Sequence, residues 1–447
     1  MSRYSDSFFD VNAENGFLPV KDPLRRLSDD FKELQQLIDD LPSVVIVPNE
    51  IEKRVVDIPN YIDAVKNVDD VFILQALFRA YTFITSSYTL ELSYQTFVKT
   101  GEYGKARRVL PRNISVPLVY VSERLNVYPW LDYHYAYSLG NYVKRDNNGS
   151  LDWKNLDMAC KFIGSDDEIG FIMLHVYINE LSGQLVKGVL NCDLKSVGEI
   201  MTRINSRRKE MWTASRHSRY NDFRIFIMGI KGNTDIFGDG LVYEDCFDNV
   251  PQQFRGQTGA QDNIIPMIDI FSGIIDYYPD NQLTEYLMDL RTYRPVCVQN
   301  FLSDLVSKSK ENSLFKKLKN DNDVEGLIDL LKIVDEVYYF RNGHWQFVQK
   351  YIMENTKYPK ATGGTPITSW LVNQIEAVLK YENDIISEIL KLNVDEDKDS
   401  KDNHSLIKTY QSKVELLQRQ VEEMSKNHID VQLIYLKNKE LGLEDEK

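Results

Sequence analysis

The sequence predicts a mainly α-helical protein: a large all-helical domain, a smaller and mostly helical N-terminal domain, and a C-terminal helix. Three observations predict it. Apolar residues recur at spacings of three and four through most long segments, the mark of one buried helix face. Strand–helix–strand alternation is absent. Glycine-rich turns, GIKGNTDIFGDGLVYED, FRGQTGAQDN and KATGGTPIT, punctuate the helical runs. A chain of 447 residues exceeds one small core, and 43% hydrophobic residues supply a large interior.

Residues 1–113 form the first unit. DPLRRLSDDFKELQQLIDDLP has helical apolar spacing (Leu27, Phe31, Leu34, Leu37, Ile38) and is expected to stop at Pro42. VDDVFILQALFRAYTFITSSYTL is a second helical run, interrupted by Arg79, and its apolar part is too short to span a bilayer. LPRNISVPLVYVSERLNVYPWL carries three prolines and β-branched residues, and reads as an extended connector.

Residues 114–392 form the large domain. Its helical stretches include EIGFIMLHVYINELSGQLVKGVL, NCDLKSVGEIMTRINSRRKEMW, NIIPMIDIFSGIID, VEGLIDLLKIVDEVYYFRNGHWQFVQKYI and SWLVNQIEAVLKYENDIISEILKL. Residues 393–447 hold a charged linker, VDEDKDSKDN, and a heptad seam. The seam runs Ile407, Tyr410, Val414, Leu417, Val421, Met424, His428, Val431, Tyr435. It either pairs with a second copy of the chain or packs back on the body, and self-association is the favoured expectation.

Bulk chemistry excludes several classes. A net charge of −14 with no dense basic run argues against generic nucleic-acid binding. The four cysteines form no CxxC pair, which argues against zinc ribbons and thioredoxin-type redox sites. MSRYSDSFFDV lacks the apolar core of a secretory signal, so a cytoplasmic protein is expected, with no membrane partner. HExxH, GxSxG and a P-loop are absent, and GDG (238–240) reads as a turn.

The informative stretch is YYFRNGHWQFVQKYI (338–352). The stripe Leu330, Val334, Val337, Arg341, His344, Val348, Tyr351 places Arg341 and His344 on the inward face of one helix. Polar groups there need partners. A satisfied core histidine is one reading. A haem site is another, since haem takes an axial imidazole and cations for its propionates. Gly343 beside them costs about 1 kcal/mol of helix propensity relative to alanine. Of the six histidines, His134, His175 and His344 lie in apolar surroundings, whereas His217 sits in a polar stretch and is expected to be solvated.

Several ordered segments together resemble the indoleamine 2,3-dioxygenases. They are FRIFIMGIKGNTDIFGDGLVYED, FRGQTGAQDNIIPMIDIFSGI, YLMDLRTYRPVCVQNFL, YYFRNGHWQFVQKYI and ATGGTP, with ENGFLPVKDPLRRL resembling the family's opening. The resemblance covers about residues 14–390 and leaves out the tail. It implies haem b as cofactor, O2 and L-tryptophan or a related indole as substrates, and N-formylkynurenine, of the kynurenine pathway, as product. It implies His344 as the iron ligand, Arg341 as the arginine near a propionate and Asp269 as its proximal-side partner. Arg224 matches the arginine for the substrate carboxylate, Tyr220 and Phe171 the aromatics of the pocket, and Thr258 and Gly259 the loop beside bound O2. Thr362, with Gly363 and Gly364, matches a loop that closes over the substrate.

The sequence also departs from the family. His175 stands where the animal enzymes have a distal serine. The related tryptophan 2,3-dioxygenases hold the indole N–H with a distal histidine, a role open to His175 beside that of a core histidine. Arg219 stands where the family has a second pocket aromatic. Around Tyr133–Tyr137 the match needs one extra residue. Two alternative functions follow: a haem enzyme that oxygenates a modified tryptophan or indole without opening the ring, and a haem protein that binds O2 without turnover. A helical interaction protein without haem is a third.

Overall fold

The computed structural model describes residues 3–280, 282–355, 358, 360–362, 367–392 and 400–426. Gly363, Gly364 and the seam positions His428, Val431 and Tyr435 lie outside these residues.

The helices that build and surround the site are α1 (Lys32–Val44), α2 (Val71–Thr100), α3 (Arg112–Leu125), α4 (Asp166–Asn179), α5 (Leu194–Lys209), α6 (Ile264–Ser272), α7 (Val324–Phe347), α8 (Ile367–Leu392) and α9 (Ser400–Lys426). Strand structure among the described residues is slight. β1 (Val109–Leu110) pairs parallel with β4 (Val242–Tyr243), and β2 (Tyr142–Lys144) antiparallel with β3 (Leu156–Met158). The mainly α expectation holds.

Local chemistry sets the boundaries. The Asp70 side chain accepts the Phe72 N–H and starts α2, and Gly101, at φ 77°, ends it in the left-handed conformation. α2 is buried on nearly every face, including Arg79, which donates to the Leu24 and Gly140 carbonyls. No helix among the described residues is long and apolar enough to cross a membrane. Ser165, Asp193 and Asp323 cap α4, α5 and α7 in the same way as Asp70 caps α2. Gly273, at φ 97°, closes α6.

Two sequence expectations are corrected. α1 runs two residues past Pro42, which sits in its last turn. Residues 112–125 are α3 and not an extended connector. Pro111 is the N-cap, where no N–H is required, and Pro117 removes one intrahelical bond. That loss is offset by burial of Ile114, Leu118, Val121 and Leu125, an apolar face at helical spacing.

α7 lies at the centre of the larger assembly. It packs against α5, α6 and α8, and α9 packs against α8. Two π-helical turns occur among the described residues. One, Tyr133–Tyr137, is capped by the Asp132 carboxylate, which accepts the Tyr135 and Ala136 N–H groups. The other, Val348–Met353, continues α7. Such turns take one extra residue per bond and gather at functional sites.

The first half of the heptad seam packs back on the body. Ile407 and Val414 are buried, and Tyr410 and Leu417 rest on the same core. Lys413 ion-pairs with Asp335 of α7, and its ammonium lies 4.2 Å from the Tyr339 ring centre. Burial and the neighbouring Asp335 push the Glu382 carboxyl of α8 well up, and Lys413 opposes that shift. Lys413 thus docks α9 onto two acids. Replacing it with Met should lower the free energy of unfolding by about 2 kcal/mol, under the usual cost of breaking a buried pair because the lysine is partly exposed. Asp335→Asn in the same chain should restore part of the loss. Urea denaturation measures both, and a K413M protein as stable as its parent would show that α9 is not held through this contact.

Candidate active site

α4, α5, α7, the second π-helical turn and the loop 257–262 enclose a cavity of about 1350 Å³, counted out to its solvent mouth. Phe171, His175, Tyr220, Thr258, Gly259, His344 and Thr362 all line it, so most of the residues singled out in the sequence come together here. A second cavity, of about 590 Å³, adjoins the first along Gly259, Ala260, Asp262, Phe340 and His344. Arg341 and Asp269 border this second chamber.

His344 therefore stands on both chambers. Its pKa is pulled down to about 4, first by burial and then by the Arg208 charge. At neutral pH it is an unprotonated imidazole, the form that ligates a metal. Among the described residues no group of three or more His, Cys, Asp or Glu side chains is placed to hold a metal ion.

One turn before it, Arg341 donates from Nη2 to Asp269 Oδ2 at 2.7 Å and from Nη1 to the Gln374 carbonyl at 2.9 Å. The Tyr278 hydroxyl also donates to Asp269. Burial raises the Asp269 carboxyl above its ordinary range, and Arg341 opposes that rise. Asp269 is thus the partner of Arg341, and the pair fastens α7 to α6 and α8.

The His175 side is a polar chain set in an apolar wall. The Tyr133 hydroxyl lies 2.8 Å from Asp262 Oδ2 and 3.3 Å from His175 Nδ1. Asp262 also accepts from Asn179 Nδ2 at 2.7 Å and from the Ile264 N–H at 2.9 Å. The phenol has one proton. Donated to Asp262, it leaves the phenol oxygen to accept from His175 Nδ1–H, and His175 Nε2 then keeps its lone pair. Burial lowers the His175 pKa, with Asp262 opposing, so the ring is neutral. Tyr133 and Asp262 could not be assigned from sequence. Tyr133 stands in the first π-helical turn, within the stretch where the match needs an extra residue.

The loop 257–262 is held from behind. Thr258 and Gln261 form a capping box. Arg294 donates from Nη2 to the Ala260 and Asp262 carbonyls and from Nε to Asn263 Oδ1. Asn263 in turn meets buried His134. A Cβ added at Gly259 would lie 3.6 Å from His175 Cε1, in the space before the imidazole. Gly229 and Gly256 cross with no room for a side chain: a Cβ on either would come within 2.3 Å of the other's backbone. The Gly229 N–H donates to the Thr362 carbonyl at 2.7 Å, which ties the 360–362 segment to this crossing.

Tyr220 and Phe171 form an aromatic wall, with ring centres 4.9 Å apart, and Tyr351 stands 5.9 Å from Tyr220. Arg219 points elsewhere: it is exposed and pairs with Asp222 at 2.9 Å. His217 is exposed as expected. Arg224 is fully buried but lies behind Tyr220, off the cavity wall. Its Nη1 donates to the Tyr103 hydroxyl at 3.1 Å and its Nη2 to the Lys360 carbonyl at 2.7 Å, while Nε has no partner.

The mainly helical fold thus sets two imidazoles and an aromatic wall on one largely apolar cavity, a setting suited to a flat aromatic guest. Sequence comparison gives the class. The family model for indoleamine 2,3-dioxygenase matches residues 5–402, and the chain belongs to that family. The chain is 28% identical to indoleamine 2,3-dioxygenase 1 of Rattus norvegicus over 292 residues, which cover 62% of this chain and 70% of the relative. It is 25% identical to indoleamine 2,3-dioxygenase qulI of Penicillium citrinum over 401 residues (82% and 86%), and 24% identical to indoleamine 2,3-dioxygenase 2 of Homo sapiens over 375 residues (80% and 86%). The protein is an oxidoreductase of a family that acts with O2 on tryptophan and related indoles.

Two histidines with lowered pKa values, buried His134 and the cavity-lining His344, make the protein acid-sensitive. His134 is pulled down to about 3 by burial and by Arg294, and His344 to about 4. In the unfolded chain both titrate near 6.5. Between pH 6.5 and about 4 the unfolded chain binds protons that the folded chain refuses, so stability falls as pH drops through that window. Denaturant titrations of the protein across it should show a shallower decline in His134→Gln than in the parent. Identical slopes would contradict the assignment.

Proposed function

We propose that the chain is a haem b enzyme that inserts both atoms of O2 across the C2–C3 bond of L-tryptophan, giving N-formylkynurenine. The observation that carries this reading is a pair of neutral imidazoles, His344 and His175, on one apolar cavity, the second with its tautomer set by Tyr133. The residues present fit a haem. His344 offers one unprotonated nitrogen, the cavity wall is largely apolar, and the adjoining chamber holds a buried arginine one turn away. A bound haem would supply the iron at which O2 is activated.

The chain's own residues do the rest. His344 would hold the iron, and the Arg341–Asp269 pair keeps its helix in place. The Phe171–Tyr220 wall offers an apolar slot for the indole ring and excludes water from it. His175 Nε2 accepts the indole N–H, which fixes the ring's rotation in that slot. Arg224 is a buried cation with no carboxylate among its hydrogen-bond partners. A substrate carboxylate that takes Nη2 from the Lys360 carbonyl would gain a charge-assisted bond there. Thr362, two residues on, would move with that exchange.

A second reading rests on the placing of Arg224. Because it stands behind Tyr220 and already holds the Lys360 carbonyl, an indole without an α-carboxylate would also be accepted, and oxygenated with the ring left intact. Product analysis after incubation with O2, reductant and either tryptophan or tryptamine separates the two. The proposal expects N-formylkynurenine from tryptophan. It expects Arg224→Ala to lower kcat/KM for tryptophan roughly 10- to 100-fold, the worth of a charged hydrogen bond, and to leave tryptamine within about twofold. An intact oxidised indole as sole product would establish the second reading.

A further inference from the structure

Three cations end α5: Arg207, Arg208 and Lys209. Lys209 is exposed, and Arg207 pairs with Glu180 at 2.8 Å. Arg208 differs from both. It is buried, lines the main cavity and forms no ion pair among the described residues. Its Nε reaches Asn205 Oδ1 and its Nη2 the Tyr339 carbonyl, each at a long 3.3 Å. Glu336 is the acid it feels, but that carboxylate is already engaged by Thr202 and Asn205. The Phe340 and Phe347 rings lie 5.7 and 5.4 Å from the guanidinium carbon.

Gly343 shows where the guanidinium sits. A Cβ built on Gly343 would come within 1.9 Å of Arg208 Nη1 and 2.2 Å of Cζ. The guanidinium thus fills the volume that a side chain at 343 would take, directly beside His344. A glycine in mid-helix weakens the helix, and here the arginine requires it. Any larger residue at 343 would expel Arg208.

A buried charge is costly unless it is paired. Arg341 meets that condition through Asp269. Arg208 has no carboxylate of its own among the described residues, and it lines the cavity. We propose that Arg208, seated on Gly343, binds a carboxylate of the molecule in the cavity. Two molecules of the proposed reaction carry one: haem, in its propionates, and an indole amino acid, in its α-carboxylate. The inference rests on the haem reading for the first source and on the cavity alone for the second.

The test uses the full chain with Arg208→Gln and Gly343→Ala, the latter displacing the guanidinium without removing it. Haem release to a scavenging apoglobin is followed by absorbance, and binding of tryptophan and of tryptamine by calorimetry. If the carboxylate is a propionate, both variants release haem tenfold faster or more, with tryptophan affinity unchanged in the loaded fraction. If it is the substrate's, tryptophan binding weakens tenfold or more, while tryptamine binding and haem release stay at parental values. Parental haem release together with parental tryptophan affinity in both variants overturns the proposal. So does equal weakening of tryptophan and tryptamine, which would mark a structural role. Should R208Q fail to fold, Gly343→Ala carries the same outcomes. A parent that takes up no haem contradicts the proposed function instead, and the calorimetric comparison still decides the role of Arg208.

Discussion

The buried ion pair between Arg341 and Asp269 is the constraint on which the site depends. It joins α7 to α6 in the interior, and the Gln374 carbonyl adds α8 to the same arginine. Truncating either partner of such a pair leaves an uncompensated charge in a low-dielectric setting, at a cost of about 3–5 kcal/mol. The pair also fixes the rotation of α7. Once Arg341 points at Asp269, His344 is set on the same face one turn later and meets both chambers. The aromatic wall, the loop 257–262 and α4 are then arranged around that imidazole.

Charge around the cavity is distributed unevenly, and the unevenness has a chemical sense. Arg341 is compensated. Arg208 and Arg224 are buried without carboxylates, one on the cavity wall and one behind it. The polar chain Asp262–Tyr133–His175 is internally satisfied and presents a neutral acceptor. The site is therefore poised for a guest that brings carboxylates and an N–H donor on an otherwise apolar body. Haem and an indole amino acid together have that composition.

Much of this was legible in the sequence, and the failures have physical causes. The stripe from Leu330 to Tyr351 announced the inward face of α7, because a 3.6-residue period survives any detail of packing. It placed Arg341 and His344 correctly, and Asp269 as partner came with the family resemblance. Residues 112–125 read as a connector because three prolines and β-branched residues outweighed a sound apolar period, although Pro111 only caps the helix and Pro117 does not end it. Tyr133 and Asp262 reach His175 from 42 and 87 positions away in sequence, and no local pattern encodes such a meeting. Arg208 lay hidden in SRRKE, which reads as a solvated helix end. The one local sign was Gly343, a glycine where the helix gains nothing from it. The place of Arg224 behind Tyr220 depends on packing that sequence does not show.

The central claim is that His344 ligates haem iron. Its most direct test is the absorption spectrum of the haem-loaded protein beside His344→Gly, recorded with and without added imidazole. The account predicts a Soret band in the parent, its loss or displacement in the variant, and its return when imidazole fills the space left by the side chain. A variant that binds haem with the parent's spectrum, unaffected by imidazole, would contradict it.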